Sequence, residues 1–169
     1  AEESKRENGL KMLSENVDFA HSLGAENLTI HAWDPLEAKL DLTRSAEALE
    51  QALDQASREN VTISIEIIPS VSQEPYQAAQ FLHKTLDSGV KFTVDLEFAA
   101  QYDSVEKLLD FNERVNNIHI RDYDGKWLTE DGKRHYCKLG KGKLDFTSVF
   151  KKLIRQNYLG FYTLESPCD

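Results

Sequence analysis

Four short strings end an apolar, β-branched run in an ionisable side chain: IEIIP with Glu66, TVDLEF with Asp95, NNIHIRDYDG with His119 and FYTLES with Glu165. A fifth, LTIHAW, does the same with His31. Brought together, three carboxylates and an imidazole could not all stay charged without a counter-ion, because like charges and partial burial drive protons onto carboxylates. A divalent cation resolves the conflict. One imidazole nitrogen among carboxylate oxygens suits one Mn²⁺, Mg²⁺, Co²⁺ or Zn²⁺ ion, and the oxygen-rich mix favours Mn²⁺ or Mg²⁺.

Strand alternation is what would bring them together. Successive strand residues point to opposite faces. In VTISIEII, Val61, Ile63, Ile65 and Ile67 share one face, and Thr62, Ser64 and Glu66 share the other. The same sorting sets Thr93 and Asp95 against Phe92 and Val94, and Asn117 and His119 against Ile118 and Ile120. It also sets Thr163 and Glu165 against Tyr162 and Leu164, and Thr29, His31 and Trp33 against Leu28 and Ile30. Each strand then has an aliphatic face for helices to cover and a polar face ending in an ionisable group.

The strands alternate with helices. An opening helix carries Leu10, Leu13, Val17, Ala20 and Leu23 at helical spacing and stops at Gly24. Then come LTIHAW, the helix TRSAEALEQALDQASREN with Thr43 as N-cap, VTISIEII, the helix EPYQAAQFLHKTLDSG and the strand KFTVDLEF. The helix SVEKLLDFNERV, the strand NIHIRD, a polar loop, the helix DFTSVFKKLIRQN and the strand GFYTLES complete the series. Strands separated by helices indicate βαβ units and a parallel sheet. Such sheets place their ligands beyond the carboxyl ends of the strands. The loop from Asp124 to Gly142 is the one long irregular connection, and loops of that length are commonly functional. Its Gly140-Lys141-Gly142 reads as a turn into a helix capped by Asp145.

Composition bounds the partners. With 169 residues, 40% of them hydrophobic, the chain can build one domain with a real core, and no composition break divides residues 1–169. A net charge of −9 disfavours nucleic acid and anionic lipid. No apolar run reaches the roughly 20 residues of a membrane span. Cys137 and Cys168 form no CxxC pair, which favours a reducing cytoplasm over a disulfide framework.

The motifs, taken in order with LGKGKLDFTSVFKKLIRQNYLGFYTLES at the end, resemble the xylose isomerase-like superfamily of sugar isomerases and epimerases. The resemblance runs from LTIHAW to the C-terminus and is most specific in that last motif. It implies a (β/α)8 TIM barrel, of which this chain supplies about the last five βα units. The expectation is therefore a piece of a longer barrel, a shortened barrel, or copies that assemble as a homo-oligomer. In the tagatose- and psicose-type 3-epimerases a Glu, Asp, His, Glu quartet binds one divalent metal, and its two glutamates move the substrate proton. Position by position, these are Glu66, Asp95, His119 and Glu165, with Glu66 and Glu165 catalytic. The implied activity is epimerisation or aldose-ketose isomerisation of a sugar or sugar phosphate.

Substrate contacts are expected from His31, Trp33, Arg121, Arg134 and His135. The sequence departs from the family pattern at Phe98, where a substrate-contacting histidine often stands, and at Tyr136, where an arginine often precedes the GxG glycine. Two other functions compete. A catalytically silent sugar- or protein-binding barrel accommodates Phe98. An endonuclease IV-like phosphodiesterase is disfavoured by only five histidines and by the acidic charge.

Overall fold

A computed structural model describes residues 2–35, 39–86 and 89–165. Helix α1 (Glu2–Ser22) leads to strand β1 (Asn27–Ile30), α2 (Leu42–Arg58), β2 (Thr62–Glu66), α3 (Pro75–Thr85) and β3 (Lys91–Asp95). Two short helices, α4 (Leu96–Gln101) and α5 (Val105–Leu109), and a 3-10 turn (Asn112–Arg114) precede β4 (Val115–Ile120). Helix α6 (Phe146–Arg155) and β5 (Phe161–Leu164) follow. The strands form one sheet in the order β1-β2-β3-β4-β5, every pair parallel. Among the described residues the sheet is five strands wide, with neighbouring strands consecutive in the chain and joined by helices, as expected for part of a (β/α)8 barrel.

The helices cover the aliphatic face. Ile65, Phe92, Val94 and Ile118 pack against Ala46 and Leu49 of α2, Ala79 and Leu82 of α3, Leu108 of α5 and Leu153 of α6. A second cluster joins Val17 and Ala20 of α1 to Ala52, Ala56, Val61 and Ile63. No helix among the described residues is long and apolar enough to cross a membrane.

The sheet's other face is a layered polar network. Ser64 donates to Asn27 at 2.6 Å, and Asn116 reaches the same Asn27 oxygen at 2.8 Å. One layer higher, Thr29 pairs with Thr93 at 3.1 Å, and Thr163 donates to Asn117 at 3.0 Å. Two consecutive residues of β4, Asn116 and Asn117, therefore turn inward, contrary to simple alternation. The cause is a register shift between Phe92 and Thr93, opposite Val115 and Asn117, which gives β4 an extra residue.

Several expected boundaries move. The N-cap of α2 is Asp41 instead of Thr43: its carboxylate accepts from the Arg44 backbone N–H at 3.1 Å, leaving Thr43 inside the helix. The expected helix SVEKLLDFNERV breaks at Asn112, whose φ of 43° takes the chain out of the right-handed helix. LTIHAW leaves the strand at Ile30, so His31 and Trp33 stand in the following loop. KFTVDLEF ends as a strand at Asp95, whose carboxylate caps α4. Tyr162 and Leu164 of β5, expected under helices, are 48% and 59% exposed, because β5 is an edge strand with little packed on it among the described residues.

The 124–142 loop is more ordered than its sequence implies. It folds back on itself through bridges between Asp122 and Cys137 and between Leu128 and Arg134. Cys137 is a free thiol, and Cys168 lies outside the described residues. The GxG turn reading holds at two points: Gly140 has a φ of 74°, and Asp145 caps α6 by accepting from the Ser148 N–H at 3.0 Å. Gly142 is required for a different reason. Its N–H donates to Asp122 at 2.8 Å, and a Cβ there would lie 2.2 Å from Asp122 Oδ1 and 2.6 Å from the Tyr123 carbonyl oxygen. Gly142→Ala is expected to destabilise the protein by about 1–3 kcal/mol, the usual range for overpacking. Urea unfolding measures it, and an unchanged midpoint would mean that the loop yields freely.

Candidate metal centre at the strand ends

Three of the four quartet residues converge at the carboxyl ends of β2, β3 and β4. Glu66, Asp95 and His119 are all buried, and each offers one ligand atom within 4.8 Å of the other two. Glu165, just past β5, lies outside this set. One of its oxygens still stands 3.4 Å from His119 Nδ1, and its other oxygen pairs with Arg121. Register explains the convergence: Asp95 lies beside His119 on neighbouring strands, and Thr163, two residues before Glu165, lies beside His119 on the far side.

Each carboxylate is held from behind. Asp95 Oδ1 accepts from the backbone N–H groups of Glu97 at 2.8 Å and Phe98 at 3.1 Å, so capping α4 fixes its rotamer. Glu66 Oε2 shares a hydrogen bond of 2.9 Å with His31 Nε2, while Oε1 lies 3.4 Å from His119 Nδ1. Burial opposes ionisation of Glu66, but the imidazoles of His119 and His31 more than offset it and hold the carboxyl at about 2. Asp95 goes the other way. Burial pushes it up to about 7, against the pull of the Arg121 guanidinium and the Phe98 N–H. Burial would lower His119, yet Glu66, Glu165 and Asp95 together raise it.

These residues fit a divalent cation. Asp95 Oδ2 and His119 Nδ1 are buried and lack a well-formed hydrogen bond among the described residues: Arg121 Nε stands 3.4 Å from the one, and Glu66 and Glu165 oxygens 3.4 Å from the other. Such orphaned atoms are uncommon in proteins and call for an explanation such as an ion. A nitrogen and carboxylate oxygens are the donors that Mn²⁺ and its neighbours accept. A cation would also keep Asp95 ionised where burial alone favours the acid.

The other candidates separate. His31 and Trp33 line an open groove with Glu66, His119 and Glu165. Trp33 is otherwise a core residue whose indole donates to the Ile68 carbonyl at 3.2 Å. Arg121 stands at the rim, its Nε 3.4 Å from Asp95 Oδ2. Arg134 stacks over Trp127 at 3.7 Å, and His135 is bound to Asp124 at 2.9 Å, so both are engaged within the loop. Phe98 is buried and packs 5.3 Å from the ring of Trp127. Sequence reading missed Glu97, which is 2% exposed and paired with both Arg134 and Arg121. Its position two residues after Asp95 was the available signal.

The family model described as xylose isomerase-like TIM barrel matches residues 1–169. The chain belongs to the xylose isomerase-like TIM barrel family. Among curated relatives of this barrel, an L-ribulose-5-phosphate 3-epimerase of Salmonella paratyphi C is 23% identical over 171 residues, covering 97% of this chain and 58% of the relative. Among solved structures, a D-tagatose 3-epimerase-like protein superimposes with a TM-score of 0.79 at 20% identity, over 97% of this chain and 64% of that one. An L-ribulose 3-epimerase does so with a TM-score of 0.74 at 17% identity, over 95% and 55%. The barrel segment thus spans less than two thirds of the length of these relatives. At these identities the structural likeness establishes the fold.

Proposed function

We propose that this protein is a divalent-metal-dependent epimerase or isomerase of a sugar or sugar phosphate, with Glu66, Asp95, His119 and Glu165 as metal ligands. The observation that carries the reading is the buried Glu66, Asp95 and His119 set at the strand ends, whose ligand atoms lie within 4.8 Å of one another. Relatives named as L-ribulose-5-phosphate 3-epimerases support the substrate class.

When bound, the cation would polarise adjacent substrate oxygens and so acidify the carbon between them. Glu66, ionised at neutral pH, is in the state that accepts a proton, and His31 holds its carboxylate in place. Glu165, on the opposite side of His119 and steadied by Arg121, faces the same space. One glutamate takes the proton from the substrate carbon, the electron pair passes into the adjoining carbonyl to give an enediolate, and the other glutamate returns a proton to the opposite face. Trp33 and His31 supply the wall of the groove where the sugar lies.

The test starts with the metal. Calorimetric titration with Mn²⁺ is expected to give one ion per chain. Asp95→Asn and His119→Ala each are expected to weaken it by more than about 100-fold, beyond the 10–100-fold typical of losing a group that merely orients a ligand. Unchanged affinity in both variants would remove the metal centre from the proposal.

A further inference from the structure

Glu97 is a buried anion that the proposed chemistry does not use. It is 2% exposed, it is not in the Glu66, Asp95 and His119 set, and two cations from separate segments end on its Oε2. Arg121 comes from the end of β4, and Arg134 comes from the loop that folds back between Asp122 and Cys137. Arg134 is fixed independently: it donates to the carbonyls of Trp127 at 3.2 Å and His135 at 2.6 Å, and its guanidinium carbon stands 3.7 Å over the indole of Trp127. The loop is thereby tied to Glu97.

Arg121 is the more consequential partner. Its guanidinium lies among three carboxylates: in direct contact with Glu165, 3.4 Å from Asp95 and, farthest, 4.0 Å from Glu97. Two of these are candidate ligands, so where Arg121 rests determines how far it competes with a cation for them. Glu97 is the only one of the three outside the proposed quartet, and its backbone position is fixed because its own N–H donates to Asp95. Arg121 Nε and Asp95 Oδ2, 3.4 Å apart, make no hydrogen bond, and without that third anion nothing on the far side of the guanidinium opposes their closing to one.

We propose that Glu97 is a positioning residue of the metal centre, holding Arg121 at the rim so that it steadies Glu165 while leaving Asp95 Oδ2 available. This inference rests on the metal reading above. It assigns Glu97 no contact with metal or substrate. Its effect on the metal centre is routed through Arg121, while its closer pair with Arg134 ties down the loop.

The routing makes it testable by a double-mutant cycle read as Mn²⁺ affinity on the purified protein, with thermal unfolding to verify the fold. Glu97→Gln is expected to weaken Mn²⁺ binding about 10–100-fold, as for groups that orient ligands indirectly. In an Arg121→Gln background the same change is expected to cost less than about threefold. Glu97→Asp keeps the buried charge but draws it back by one methylene, and it carries the same expectation in smaller measure should Glu97→Gln not fold. Equal affinity in the wild type and the Glu97 variants would overturn the proposal, as would an equal loss in both Arg121 backgrounds, which would mean that Glu97 acts by its own charge. A wild-type protein that binds no Mn²⁺ would instead overturn the metal reading, and this inference with it.

Discussion

In deuterium oxide, Glu66→Gln and Glu165→Gln are each expected to lower the rate of label incorporation into the epimerised carbon of the proposed sugar or sugar-phosphate substrate by about 10²–10⁴-fold, the range general acid-base catalysis supplies. Glutamine keeps the length and nearly the shape of glutamate but can neither take nor return a proton. In the proposed cycle each carboxylate works on one face of the carbon, so neither can replace the other. Glu66→Gln also sets an amide between His31 and His119, where an anion now receives both imidazoles. Mass spectrometry of the recovered sugar reads the incorporation directly. Label appearing in the product epimer at the wild-type rate in both variants would sink the two-glutamate mechanism, whereas exchange without epimerisation in a single variant is what one remaining base on one face would give.

The second large effect concerns the scaffold. Phe92→Ala is expected to destabilise the protein by about 3–5 kcal/mol, the usual consequence of removing a buried aromatic ring. Phe92 is 1% exposed on the helix-facing side of β3, with its ring edge-on to Phe111 at 5.4 Å. Three residues later the same strand delivers Asp95. Since domains are stable by only about 5–15 kcal/mol, such a loss is a large fraction of the whole. Urea unfolding measures it, and a change under about 1 kcal/mol would show that neighbouring helices close over the gap.

Where Glu66, Asp95, His119 and Glu165 fall on their strands was legible because strand alternation is local. Each of Glu66, Asp95, His119 and Glu165 occupies the same parity as the small polar residues before it, and a sequence carries parity without reference to partner strands. The polar layer beneath them was only half legible. Thr29, Thr93, Asn117 and Thr163 follow parity, but Asn116 joins them through a bulge, and a bulge belongs to a pair of strands instead of one. Glu97 follows parity too, yet the strand reading of KFTVDLEF fails there, because Asp95 caps α4 and ends the strand.

The loop residues were the least legible. Their place in the long loop makes Arg134 and His135 candidates to reach a substrate, and the structure engages them with Glu97, Trp127 and Asp124. Such pairings join residues from separate segments, and only the folded chain decides which cation meets which anion.

By itself, then, the sequence determined the alternation of strands and helices, the parallel sheet, and which face of each strand carries ionisable groups. These follow from periodicity and short-range sterics. The tertiary structure alone decided that three of the four quartet residues lie within 4.8 Å of one another, while Glu165 stands beside His119 and pairs with Arg121. It also placed a buried Glu97 between the centre and the loop. Those outcomes depend on strand register and on the burial of charge, and both arise only when distant segments pack together.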